Sequence, residues 1–114
     1  MRSEESVSIG VDLIELKKVK VFYHEHRSRL GTFLNAYELR RLKRSPHPVR
    51  TLAEIFAAKE ALYKADARLP IGQGRFLGRG FENVHLTPAL SRRISVIRKG
   101  RFVVAAVKNC AGKS

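Results

Sequence analysis

Two acids, Asp12 and Glu60, stand in surroundings where an acid is costly. Asp12 ends an apolar strand pattern, and Glu60 lies within Phe56-Ala57-Ala58-Lys59-Glu60-Ala61-Leu62-Tyr63-Lys64-Ala65, where burial penalises a charge that is neither paired nor used. Carboxylates in such settings, with an ammonium such as Lys64 nearby, are candidates for proton transfer or for stabilising charge on a reacting group. Each also has a purely structural account. Asp12 and Glu15 have the acid-x-x-Glu spacing of a helix start, where Asp12 would accept from free backbone N–H groups. Glu60 and Lys64 have the acid-before-base spacing of four, that of a solvated helix pair contributing a few tenths of a kcal/mol. On periodicity alone the structural accounts suffice.

The elements that must position these residues are legible. Residues 7 to 13 alternate, with Val7, Ile9, Val11 and Leu13 on one face and Ser8, Gly10 and Asp12 on the other, which predicts a strand. From Glu15 the period becomes helical through Leu16, Val19 and Phe22 or Tyr23, with Lys17, Lys18 and Lys20 elsewhere on the cylinder. Asn35 and Glu38 mark a second helix start, and Pro46 and Pro48 its end. Val49 to Ala67 contains no Gly or Pro and is rich in Ala, Leu, Glu and Lys, which predicts a long helix. Pro70 to Gly80 reads as a cationic loop carrying Arg75 and Arg79. Phe81 to Leu86 reads as a strand, and Ile94 to Lys99 with Arg101 to Val107 as a hairpin turning at Lys99-Gly100. Val103 to Val107 has no polar face, so it is expected to be buried on both sides or to lie in a subunit interface.

The chain of 114 residues fits one domain, 1–114, of the α+β class. Its 23 Lys and Arg against 10 Asp and Glu leave a net charge of +13, which favours an acidic partner or a polyphosphate. The apolar run Phe102 to Val107 is far short of the roughly 20 residues that span a bilayer. Met1-Arg2-Ser3-Glu4-Glu5 lacks the pattern of a secretory signal, so a cytoplasmic location is expected. The lone Cys110 has no intrachain disulfide partner. His24 and His26 are two apart, a spacing that does not share a helix face, so no histidine metal site is expected. The charge by itself would also suit a small nucleic-acid-binding protein.

The ordered pair Ile9-Gly10-Val11-Asp12-Leu13-Ile14-Glu15 and Phe56-Ala57-Ala58-Lys59-Glu60-Ala61-Leu62-Tyr63-Lys64-Ala65 resembles the small phosphopantetheinyl transferases, the holo-acyl-carrier-protein synthases. Phe33-Leu34-Asn35-Ala36-Tyr37-Glu38-Leu39 and Pro48-Val49-Arg50-Thr51-Leu52-Ala53 extend the match, and Phe81-Glu82-Asn83-Val84 and the last hairpin follow it more loosely. The resemblance implies an antiparallel sheet packed against a long helix, in a homotrimer with active sites between subunits. It implies transfer of phosphopantetheine from coenzyme A to a serine of apo acyl carrier protein, releasing 3′,5′-ADP.

On that resemblance, Asp12 and Glu60 would hold Mg²⁺ together with a pyrophosphate. Lys64 would face the pyrophosphate or the leaving group, and Glu60 is the candidate base. Arg75 and Arg98 are candidate contacts to coenzyme A. Lys17 and Lys18, with Arg27 and Arg29, would pair with acids of the carrier, and Phe22 would anchor that contact. Four departures stand out: Glu54-Ile55 replaces the family's Gly-Arg, Ala67-Arg68-Leu69-Pro70 its Gly-Thr-Gly, and Ile97-Arg98 its Ser-His, while Thr87 to Arg93 is all that remains where the family has a turn, a strand and a short helix. With the coenzyme region shortened, a carrier-binding relic without activity is the further alternative.

Overall fold

The computed structural model describes residues 6–65 and 84–111. Strand β1, Ser6–Glu15, runs directly into helix α1, Leu16–Glu25. A short 3₁₀ stretch over Arg27–Thr32 follows, broken at Arg29, and leads to α2, Ala36–Arg44, and α3, Pro48–Ala65. After the four-residue helix α4, Pro88–Ser91, the hairpin β2, Ile94–Lys99, and β3, Phe102–Ala111, completes the chain.

Both strand pairings are antiparallel and the order is β1-β3-β2. The hairpin forms where the sequence places it, with Lys99 paired to Phe102 and Gly100 at φ 59, a left-handed conformation that glycine adopts without a Cβ penalty. The central place falls to β3. Its Val103, Ala105 and Val107 are buried, and Val104 and Ala106 are half-buried on the opposite face.

Helix α3 packs across β1 and β3 and is buried nearly all round from Leu52 to Ala61. One contact fixes its approach. A Cβ built on Gly10 would lie 1.8 Å from the Ala61 carbonyl oxygen and 2.9 Å from the Ala65 nitrogen. Main chain therefore meets main chain, which only glycine permits. The face of β1 turned to α3 is thus Gly10, Asp12 and Ile14, while its apolar face, Ile9, Val11 and Leu13, turns outward. Those three side chains and Ile97 of β2 are between 52% and 68% exposed. Leu13 and Ile97 flank Val104 in one cross-strand row.

The capping box of α2 is present: Glu38 N donates to Asn35 Oδ1 and Asn35 N to Glu38 Oε1, both at 2.8 Å. The expected strand at Phe81 to Leu86 is absent among its described residues, 84–86. Leu86 instead bonds to the cap of α2, donating its N–H to Glu38 Oε2 at 2.8 Å and accepting from Asn35 Nδ2 at 2.9 Å. No described helix is long and apolar enough to cross a membrane.

Candidate active site

Asp12, Glu60 and Lys64 meet where β1 crosses the C-terminal half of α3. Gly10 brings strand and helix together, and Asp12 lies two residues further along the same face. Lys64 Nζ donates to Asp12 Oδ1 at 2.8 Å and lies 3.5 Å from the Val11 carbonyl oxygen. Lysine 64 therefore reaches across to the strand. The cap account of Asp12 fails as well, because Glu15 occupies the N-cap position and Asp12 remains within β1.

Glu60 is 2% exposed, and its Oε1 is a buried acceptor with no hydrogen-bond partner among the described residues. Its pKa is pushed up to about 7 by burial first and by the Asp12 charge second, against the opposing pull of Lys64. Asp12 is raised as well: desolvation outweighs the hydrogen bond and charge of Lys64 and a backbone N–H bond at Leu13. Two carboxylates raised by burial, one of them pushed further by the charge of the other and carrying an orphaned buried oxygen, fit a divalent cation. Among the described residues no third His, Cys, Asp or Glu joins them, so such a cation would complete its shell with phosphate and water, the habit of Mg²⁺.

The structure does not bring every candidate here. Arg75 lies outside the described residues. Arg98 faces the other end of α3, where it lines a cleft of about 460 Å³ with Leu16, Lys17, Lys20, His47 and Arg50. Arg50 precedes Glu60 by ten positions, about 15 Å of helical rise. Within one chain, Arg98 and Lys64 therefore serve different ends of the helix.

On α1, Lys17 and Lys18 are exposed, as are Arg27 and Arg29 after it. Phe22 is not. It is 4% exposed, with its ring 5.2 Å from Phe33, 5.3 Å from Phe56 and 4.2 Å from His26. A side chain used in the core is not available to a partner, so Phe22 is corrected from docking anchor to core residue.

The sequence reading also missed a buried ion pair. Lys59 Nζ lies 3.1 Å from Glu38 Oε1 and donates to the Phe33 carbonyl at 2.9 Å, with both charged side chains fully buried. This pair joins α2 to α3 one residue before Glu60. The signal was available in part: an alanine-rich, all-round apolar helix leaves Lys59 no route to solvent, so it requires an acid from another element.

The model of the 4′-phosphopantetheinyl transferase superfamily matches residues 8–111. The chain belongs to that superfamily. A holo-[acyl-carrier-protein] synthase of Laribacter hongkongensis is 33% identical over 102 residues, covering 89% of this chain and 73% of the relative. That of Clostridium kluyveri is 29% identical over 100 residues, covering 88% and 70%. With the Shewanella frigidimarina synthase, at 36% identity over 85 residues, the match spans 70% of this chain and only 60% of the relative. Among solved structures, the holo-[acyl-carrier-protein] synthase of Neisseria meningitidis superposes with a TM-score of 0.63 at 27% identity, covering 89% of this chain and 95% of that one. The Bacillus anthracis synthase, solved in complex with CoA (3′,5′-ADP), gives 0.69 at 23% identity over 95% and 99%, a likeness of fold. This transferase thus has the α+β architecture expected of it, an antiparallel sheet against one long helix.

Proposed function

We propose that the chain, acting as one domain over residues 1–114, transfers 4′-phosphopantetheine from coenzyme A to a serine of apo acyl carrier protein in the cytoplasm. The serine oxygen forms a bond to the pantetheine-side phosphorus, the pyrophosphate P–O bond breaks, and 3′,5′-ADP leaves. What carries this reading is the convergence of Asp12, Lys64 and the orphaned Glu60 in a chain of this superfamily.

Asp12 and Glu60 would hold Mg²⁺, which when bound neutralises charge developing on phosphate oxygens. Lys64, held beside Asp12 and partly exposed, presents its remaining protons to the pyrophosphate. Glu60 takes the serine proton, either directly or through water held beside it. Lys17, Lys18 and Arg29 attract the acidic carrier. The outward apolar face of Ile9, Val11, Leu13 and Ile97 supports a homotrimer, since an exposed patch of this kind on a sheet marks an interface. In such an assembly Arg98 contacts coenzyme A bound at a neighbouring copy, because its own cleft is remote from its own Glu60.

The nucleic-acid alternative is supported by charge alone: Phe33 and Phe56 each meet the buried ring of Phe22 edge to face instead of offering platforms to bases. The deciding experiment is mass spectrometry of apo acyl carrier protein after incubation with this protein, coenzyme A and Mg²⁺. A gain of one phosphopantetheine is expected. An unmodified carrier leaves a carrier-binding relic of the same fold.

A further inference from the structure

Among the described residues, two buried side-chain polar atoms have no hydrogen-bond partner: Glu60 Oε1 and the Tyr63 hydroxyl. The two residues are three positions apart on α3, so they share one face at neighbouring turns. A long side chain on a helix leans back over the turn before it, which carries the Tyr63 ring, 4% exposed, toward the turn of Glu60. One atom is a donor and the other an acceptor. The cations nearest Glu60 along the helix are engaged elsewhere: Lys59 with Glu38 and the Phe33 carbonyl, Lys64 with Asp12. A phenylalanine would fill the same space without burying an unpaired hydroxyl, so the tyrosine carries a cost that packing does not explain.

We propose that Tyr63 is the positioning residue of Glu60, its hydroxyl donating to Glu60 Oε1 in the cation-loaded site. This rests on the reading that Asp12 and Glu60 hold the cation, and it names what holds Glu60 itself. Carboxylates that ligate a metal are fixed in turn by outer hydrogen bonds, and losing one such bond costs roughly ten- to a hundredfold in affinity or activity. Asp12 already has its outer partner in Lys64 at 2.8 Å. Tyr63, the residue before Lys64, supplies the equivalent for Glu60, and the bond closes by side-chain rotation with the backbone of α3 unchanged. An ionised carboxylate has two oxygens and about four lone-pair positions, so Glu60 can accept from Tyr63 and still face the cation. Adjacent residues of one helix then serve the two acids, Lys64 reaching across to the strand and Tyr63 back along its own helix.

The test is Tyr63→Phe, read first by the rise in melting temperature on titration with Mg²⁺, which gives the affinity without turnover, and then by steady-state kinetics. Tyr63→Phe should bind Mg²⁺ about tenfold more weakly, lower kcat to a similar degree and leave KM for the carrier within about twofold. Without Mg²⁺ it should melt no lower than the parent, since the hydroxyl removed has no partner among the described residues. In a Glu60→Gln background the same change should alter kcat by less than about twofold, as a residue acting through Glu60 must. A tenfold further loss in that background overturns the link, as does an Mg²⁺ affinity equal to the parent's. A cation-free melting temperature several degrees below the parent's also overturns it, by making Tyr63 a packing residue. Weakened Mg²⁺ binding in Tyr63→Phe beside a parent that transfers no phosphopantetheine upholds the link and overturns the proposed reaction instead.

Discussion

Lys64 Nζ donates to Asp12 Oδ1 at 2.8 Å, an ion pair between residues 52 positions apart in the chain. It takes Lys64 away from Glu60, the acid one turn earlier on its own helix, and leaves Glu60 Oε1 without a partner among the described residues. The site therefore holds one neutralised carboxylate and one that is not, and several expectations derive from that inequality.

Asp12→Asn and Glu60→Gln should each lower Mg²⁺-dependent transfer at least a hundredfold, as loss of a ligand to a cation that stabilises the transition state does. Both substitutions are isosteric, so circular dichroism and melting curves should show a folded protein. Surviving activity in Asp12→Asn would limit its role to holding Lys64.

Stability should depend on pH through Glu60. Its folded-state pKa is about 7 against an ordinary 4.5, so between those values the folded protein retains a proton that the unfolded chain has lost. Stability must then fall as pH rises from about 4.5 to about 7 and level off above. Asp12, also raised, acts with the same sign at the acid end. Without divalent cations, Glu60→Gln should be more stable than the parent at pH 8 by roughly 2 kcal/mol in urea titrations. Added Mg²⁺ should raise the parent at pH 8 and leave Glu60→Gln unmoved. Parallel pH profiles for the two proteins would contradict this origin.

The Glu38–Lys59 pair should matter to folding more than to chemistry. Lys59→Met leaves a fully buried Glu38 uncompensated and should cost about 3 to 5 kcal/mol in urea unfolding. Combining it with Glu38→Gln should recover only part of that loss: the charge is gone, but the amide oxygen can accept from only one of the two backbone N–H groups, of Leu86 and Asn35, that the carboxylate satisfies. A double variant as weak as the sum of the single ones would show that the two side chains act independently.

Salt should separate the two substrates. Exposed complementary charges are screened over about 8 to 10 Å near physiological ionic strength, whereas a pyrophosphate clamped beside Glu60 is screened less. Raising ionic strength should increase KM for the acyl carrier protein steeply and KM for coenzyme A mildly. Lys17→Glu with Lys18→Glu should reproduce the first effect alone. Equal sensitivity for both substrates would remove α1 from the docking surface.

The outer sheet face predicts the assembly. Val11→Asp places a charge on a side chain that is already 52% exposed in the single chain, so the protomer should fold while association fails. Sedimentation velocity should show the parent as a trimer and the variant as a monomer. A monomeric parent at micromolar concentration would refute the trimer.

The signals that transferred from sequence to fold were the local ones. Asn35 with Glu38, Gly100 in the hairpin and the uninterrupted run of helix formers after Pro48 each fix their own backbone. What was illegible depended on partners. In α1 the period of Leu16, Val19 and Phe22 placed Phe22 on the apolar face, whereas the family resemblance assigned it to the partner; the structure puts it in the core. Glu38 already had a local role as a cap, which concealed its second role 21 positions away at Lys59. Helix α4 is too short to show a period, although Thr87 before Pro88 was the signal of a helix start, and Thr87 does accept from Leu90 N. Asp12 and Glu60 were found because their surroundings made them costly, but their joining with Lys64 is a tertiary fact.

The contact at Gly10 separates the tolerances of core and site. Where side chains set the spacing of two elements, each exchange of a core residue shifts them slightly, as a thicker or thinner shim would. Here the strand seats directly on the carbonyl of Ala61, one residue after Glu60, and that seat has no adjustable thickness. Neighbouring core residues such as Leu52 or Val103 can therefore drift among apolar types with their cost confined to stability, while the gap between Asp12 and Glu60 keeps its calibration. Position 10 admits no such drift: even the methyl of an alanine would wedge strand from helix and reset the spacing of the two acids.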